Sequence, residues 1–437
     1  MLPRILRPVG AALLLAAGAA GAPAQTVAIT GGTVYPVSGP KIENGTVLIV
    51  DGRISAVGRD VPIPAGAQRI DARGKWVTPG LLHAATGLGL GAGGAQLGRD
   101  DDEALHATAP YTAVGGTSDA ARRGDVNATF LVANGLDPKA VAIPVARAGG
   151  VTSAVSLPGG SLVAGQAALI DLAGDRVQTL LVRGSVAMVG ALSGGAREAG
   201  GGTRAGAVHR WLDLLRDAQV VDARRADVEE NDIRPLAAPW DELAALVPVT
   251  RGALPLYLEA NRQADIEAAL RVARQYKARL ILRGGAEAWR MARELAEAQV
   301  PVVVDVHENI PSFDGLEARS DNAALLRAAG VRVILGGGDP GGAYALRWQG
   351  GHAVRNGLTW DEALAAMTLE PARAFGVAAE YGSLEAGKVA NVVVWSGDPL
   401  DFAAQAEVVL IRGVARPLTS RWTELRDRYR TLPPRPW

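Results

Sequence analysis

The chain has 437 residues, 48% of them hydrophobic and 21% charged, with 45 basic side chains against 45 acidic ones. That composition excludes a long disordered or fibrous protein, and a formal charge of zero gives no electrostatic reason for a nucleic-acid or acidic-membrane partner. The absence of cysteine excludes disulfides, thiolate-bound zinc and thiol catalysis, and five histidines (His83, His106, His209, His307, His352) bound any imidazole-based metal site.

Residues 1–24 read as a secretory signal peptide. Arg4 and Arg7 precede an apolar run from Val9 to Ala20, and Ala22-Pro23-Ala24 supplies a small-residue cleavage site. The run is shorter than the roughly 20 residues a membrane-spanning helix needs. The mature chain is therefore expected to be exported and periplasmic, with no membrane contact after cleavage.

Residues 25–77 read as closely spaced strands that form one part of a β-sandwich. Short runs at 27–29 and 33–37 flank Gly31-Gly32. The run 46–50 turns through Asp51-Gly52, a two-residue hairpin signal, into 54–58. Residues 68–71 and 75–77 add two more pieces.

From 78 to 377 the texture changes to strands alternating with Ala/Leu/Arg-rich helices. Strand-like 254–259 precedes helical 264–275, and 279–282 precedes 286–298. Likewise 301–306 precedes 322–329, and 331–335 precedes 360–367. This alternation predicts a parallel sheet with right-handed crossovers, and about 300 residues of it suit an eight-fold barrel. An open doubly wound sheet is the competing architecture. Residues 378–420 return to short alternating strands, and 421–437 hold a charged helix and a Pro-rich tail. The expected fold is α/β: a TIM-like (β/α)8 barrel with a small β-sandwich built from both chain ends.

Three stretches carry a family resemblance: "DGRISAVG" at 51–58, "VTPGLLHAATGLGL" at 77–90, and "ALAAMTLEPARAFGV" at 363–377. With "YGSLEAGKVANVVVWSGDPL" at 381–400 they stand in the order and spacing of the amidohydrolase superfamily. The chain resembles that superfamily over nearly all its mature length, close to the imidazolonepropionase-like exported members. The resemblance implies metal-assisted hydrolysis, in which a divalent ion lowers the pKa of a bound water and a carboxylate moves the proton. It also implies ligands at five positions: a His-x-His pair on strand 1, one His each after strands 5 and 6, and an Asp after strand 8. On this sequence those positions hold Ala85, Gly87, Glu259, Gly284 and Asp339.

Only Asp339 keeps the expected residue type, which makes it the candidate general base. Ala and Gly offer no lone pair, so no cofactor is expected, with a single weakly held divalent ion such as zinc as the alternative. Glu259, Arg262, His307 and Glu308 are the candidate substrate-pocket residues, since His307-Glu308-Asn309 and Glu259 fall at strand ends where barrel sites are built. Loop hydrogen bonding is the plain alternative for His307, and capping of a strand end for His83. His106 lies beside an acidic run at 100–103, and His209 and His352 lie in helical stretches where packing or solvent exposure is the default. The G-x-G-x-x-G at 89–94 opens no helix and reads as a chance match, and the Gly-rich 194–206 reads as a loop over the barrel mouth.

Two functions follow as expectations. One is a hydrolase of carbon–nitrogen bonds in small cyclic amides or dipeptide-like compounds. The other is a catalytically inactive amidohydrolase fold that serves as a binding or partner protein in the periplasm. Both take a small molecule rather than nucleic acid, and the oligomeric state stays open.

Overall fold

The computed structural model describes residues 26–90, 124–159, 162–223, 235–307, 311–337 and 340–430. The predicted signal segment 1–24, His106, Glu308, Asn309 and Asp339 lie outside the described residues.

Both ends of the chain contribute to one mixed sheet. Strands β1 (Thr26–Val34), β2 (Ile42–Val50), β3 (Arg53–Gly58), β4 (Gln68–Asp71) and β5 (Trp76–Pro79) come from the first end. Strands β14 (Val392–Trp395), β15 (Ala406–Ile411) and β16 (Val414–Arg416) come from the other. The order is β16-β15-β14-β5-β1-β2-β3, with β4 also pairing β1. The sequence divides β1 in two at Gly31-Gly32, but the structure keeps one strand with register shifts on both sides of Gly32. Gly31 takes φ +77, which lets the strand kink without breaking its ladder to β2. Asp51 and Gly52 both have positive φ, as the tight β2–β3 hairpin requires.

The remaining strands form the barrel sheet: β6 (Leu81–Thr86), β7 (Val151–Ser156), β8 (Val163–Asp171), β9 (Leu181–Ala191), β10 (Leu256–Ala260), β11 (Leu280–Gly284), β12 (Val302–Val304) and β13 (Val333–Leu335). They are ordered in sequence from β6 to β13. The ring is nearly closed, and a Cβ at Gly336, just past β13, would stand 3.4 Å from Ala84 on β6.

One strand departs from the all-parallel expectation. β8 runs antiparallel to both β7 and β9. The reason is connection length: a parallel return needs a crossover of about a dozen residues. Only residues 157–162 link β7 to β8, and a short turn with the helix Val177–Leu180 links β8 to β9.

Helices cover the outside of the later strands. In Gln263–Tyr276 the buried residues Ile266, Ala269, Leu270, Ala273 and Tyr276 recur at helical spacing and face the barrel. That helix ends where Lys277 turns left-handed at φ +54. The single helix expected over 286–298 is instead a 3-10 turn, Ala288–Met291, running into Ala292–Glu297.

Inside the barrel, Leu82, Ala84, Val155, Leu169, Val189, Tyr257, Ile281, Val303 and Ile334 pack in one apolar cluster with Phe375. Phe375 sits edge-on to Tyr257 with ring centroids 5.7 Å apart, plugging the end where the strands begin. There the barrel is also tied to the composite sheet. Asn391, just before β14, donates its side-chain Nδ2 to Ser153 Oγ on β7 at 3.0 Å.

Candidate functional site at the barrel mouth

Parallel barrels present catalytic and binding side chains at the C-terminal ends of their strands, and the candidate positions lie there. Ala85 is buried near the end of β6, and Gly87 follows that strand. Glu259 is next to last on β10, and Gly284 closes β11.

Glu259 and Arg283 are register partners across β10 and β11. Alternation places Arg283 on the same face as Ile281, and Glu259 on the same face as Tyr257, so both charges project inward above the apolar cluster. They form an ion pair in which the Arg283 side chain is 17% exposed and that of Glu259 is 26% exposed. Ser193, just beyond β9, donates its hydroxyl to the other Glu259 oxygen at 3.1 Å. Sequence reading found Glu259 but missed Arg283 and Ser193. The signal for Arg283 was present, since it stands two residues after a lumen-facing apolar residue in a strand.

Gly284 takes φ +88, and a Cβ there would stand 2.2 Å from Asn261 Oδ1. The backbone at the strand-6 position is therefore shaped around glycine. Arg262, at the start of the helix Gln263–Tyr276, is drawn to the rim, where its guanidinium donates to the Phe313 carbonyl. Arg197, from the Gly-rich stretch, pairs with Asp314 at 2.6 Å on the same rim segment. The structure thus brings Arg262 to the rim of the mouth and leaves Glu259 to Arg283.

His307 follows β12, and its backbone N–H donates to Asp305 Oδ1 at 2.9 Å. Its ring meets that of His352 edge-on, with centroids 5.5 Å apart. His352 belongs to the helix Leu346–Arg355, where the sequence suggested packing or solvent exposure. Burial lowers the His352 pKa, and the neighbouring His307 and Arg355 lower it further. Asp305 lies over the end of the next strand, since a Cβ at Gly337 would stand 2.7 Å from its Oδ2.

His83 is 1% exposed on β6. Its Nδ1 accepts the Ala85 backbone N–H at 3.2 Å, whereas its Nε2 is buried without a hydrogen-bond partner. Burial pushes its pKa down to about 4, opposed by the backbone of Gly337. A neutral imidazole bonded within its own strand matches the capping alternative rather than a mobile catalytic base.

A resident divalent metal needs three or four N, O or S donors. Ala85, Gly87 and Gly284 offer none through their side chains, and the Glu259 carboxylate is engaged by Arg283 and Ser193. Among the described residues no group of three or more His, Asp or Glu side chains is placed to hold a metal ion. The described residues therefore do not fit the metal centre that the family resemblance implies.

Residues 248–422 match the model of the Amidohydrolase family. The chain is 27% identical over 384 residues to an imidazolonepropionase of Acidiphilium cryptum, covering 82% of this chain and 89% of that one. It is also 27% identical over 402 residues to an imidazolonepropionase of Mesorhizobium japonicum, covering 87% and 91%. Among solved structures it is similar to an amidohydrolase from Thermotoga maritima, with TM-score 0.76 and 25% identity, over 90% of this chain and 100% of that one. The barrel, the composite sheet and these matches all point to the amidohydrolase superfamily.

Proposed function

We propose that this chain is an exported member of the superfamily whose barrel mouth binds a small polar molecule without the family's resident metal. One observation carries the reading. The Arg283–Glu259 ion pair, with Ser193 on the free carboxylate oxygen, stands at the strand-5 and strand-6 ends where the family's histidines would project. A guanidinium at that place repels a divalent cation and leaves the carboxylate no charge to offer it. What the pair offers instead is one cationic and one anionic group above the apolar cluster of the barrel interior. Such a site orients a small ligand through a few polar contacts.

A second reading is hydrolysis of a carbon–nitrogen bond in a small cyclic amide or dipeptide-like compound, with Asp339 moving the proton. The likeness to two imidazolonepropionases over most of the chain favours it.

One experiment separates the two. The full mature chain is purified without chelator, its metal content is measured, and zinc and manganese are added back before assay against small cyclic amides and dipeptides. The binding reading expects substoichiometric metal and no turnover. Stoichiometric metal with turnover lost on Asp339→Asn would overturn it in favour of the hydrolase.

A further inference from the structure

The polar cluster beneath the barrel floor carries more cationic charge than its structural role uses. Asp171, fully buried at the end of β8, accepts Ser153 Oγ at 2.8 Å and Asn391 Nδ2 at 3.1 Å on Oδ1. Its Oδ2 accepts Tyr381 OH at 3.2 Å and Arg412 Nε at 2.7 Å. Those four donors satisfy the carboxylate, and Arg412 alone balances its charge.

Two further guanidiniums stand around the same place. Arg147, in the last turn of the helix Ala142–Ala148, donates Nη1 to the Leu172 carbonyl at 3.1 Å, next to Asp171. Its Nε is buried without a partner, and so is that of Arg416 on β16. The ion pairs among the described residues include neither Arg147 nor Arg416; Arg412 alone of the three is paired, with Asp171. The arginines act on one another. Burial and then Arg416 lower the pKa of Arg147, while burial and then Arg412 lower that of Arg416. Asp171 is the only carboxylate acting in return on Arg416.

Three guanidiniums around one fully occupied carboxylate leave an excess of positive charge with donor nitrogens unspent. Guanidinium forks match tetrahedral oxyanions, and the 38% exposure of the Arg412 side chain shows that solvent reaches the cluster. We propose that Arg147, Arg412 and Arg416 form a binding site for a phosphate-type oxyanion at the junction of the barrel floor and the composite sheet. The site is at the opposite end of the barrel strands from the Arg283–Glu259 pair, so it stands whichever reading of the mouth holds.

The test is calorimetric titration of the full mature chain with inorganic phosphate at constant ionic strength, with chloride as the matched control. Saturable phosphate binding that chloride does not reproduce is expected. Arg416 lies on an edge strand, so Arg416→Gln should leave the core intact and weaken phosphate binding by about tenfold or more. Arg416→Lys keeps the charge but loses the fork, and should fall between the two. Arg293→Gln, on a remote exposed helix face, should bind as the parent does. Glycerol phosphate distinguishes the source: tighter binding than inorganic phosphate marks an organic phosphomonoester, and equal or weaker binding marks the free ion. Heats that follow ionic strength alone, or parental affinity in both Arg416 variants, would overturn the proposal.

Discussion

Arg283 and Glu259 sit directly opposite one another on the parallel strands β11 and β10, and their side chains close an ion pair over the apolar interior of the barrel. The pair is mostly shielded from water, so the Glu259 carboxylate relies on Arg283 for compensation. Removing Arg283 strands the carboxylate in a poorly solvated place.

Arg283→Gln is therefore expected to destabilise the protein by about 1–3 kcal/mol, because Glu259 keeps only the Ser193 hydroxyl. The double variant Glu259→Gln/Arg283→Gln should cost less than the sum of the single changes, with a coupling of about 1 kcal/mol. Urea unfolding of the four proteins measures this. Strict additivity would show that the two charges are solvated separately.

The buried imidazole of His83 makes stability depend on pH. Its pKa falls from 6.5 to about 4 on folding, because burial disfavours the charged ring. Between those values the unfolded chain binds more protons than the folded one, so stability rises with pH. The contribution is complete above about pH 6.5 and is lost as the pH falls through about 4, with a ceiling of ~3 kcal/mol. His83→Gln should flatten that part of the profile. Urea midpoints between pH 4 and pH 7 read the difference, and an unchanged slope would rule out His83 as its source.

Gly284 tests whether a metal position at the end of β11 can be built by one residue. Its φ of +88 and the 2.2 Å approach of a Cβ to Asn261 Oδ1 both oppose a side chain. Gly284→Ala should cost about 1–2 kcal/mol, part of it backbone strain and part displacement of Asn261. Gly284→His should be destabilised at least as much and gain no stoichiometric zinc, because Ala85 and Gly87 still supply no donor. Denaturation and zinc titration of the same samples check both statements. Tight zinc binding by Gly284→His would mean that the remaining donors do converge.

Much of the fold is legible in one dimension. The Asp51-Gly52 hairpin, the helix following β10 and the return of strand texture near 391 follow from turn chemistry, helical periodicity and alternation, all of which act over a few residues. The reversal of β8 was legible too, from the shortness of its connections, but strand–helix alternation elsewhere masked it. Ala85, Gly87 and Gly284 were assigned to the expected ligand positions from the spacing that the resemblance implies.

What pairs with what could not be read that way. Nothing local joins His307 to His352, or Glu259 to Ser193, which lies 66 residues away. Asp171 takes donors from Asn391 and Arg412, 220 and 241 residues further along. The sequence by itself determined the strands, the helices and their order, since those depend on neighbours in the chain. Tertiary structure alone decided that Glu259 answers to Arg283 and that the floor gathers surplus arginines. Both depend on inter-strand register and on how the barrel meets the sheet, and these set which charges share a desolvated space.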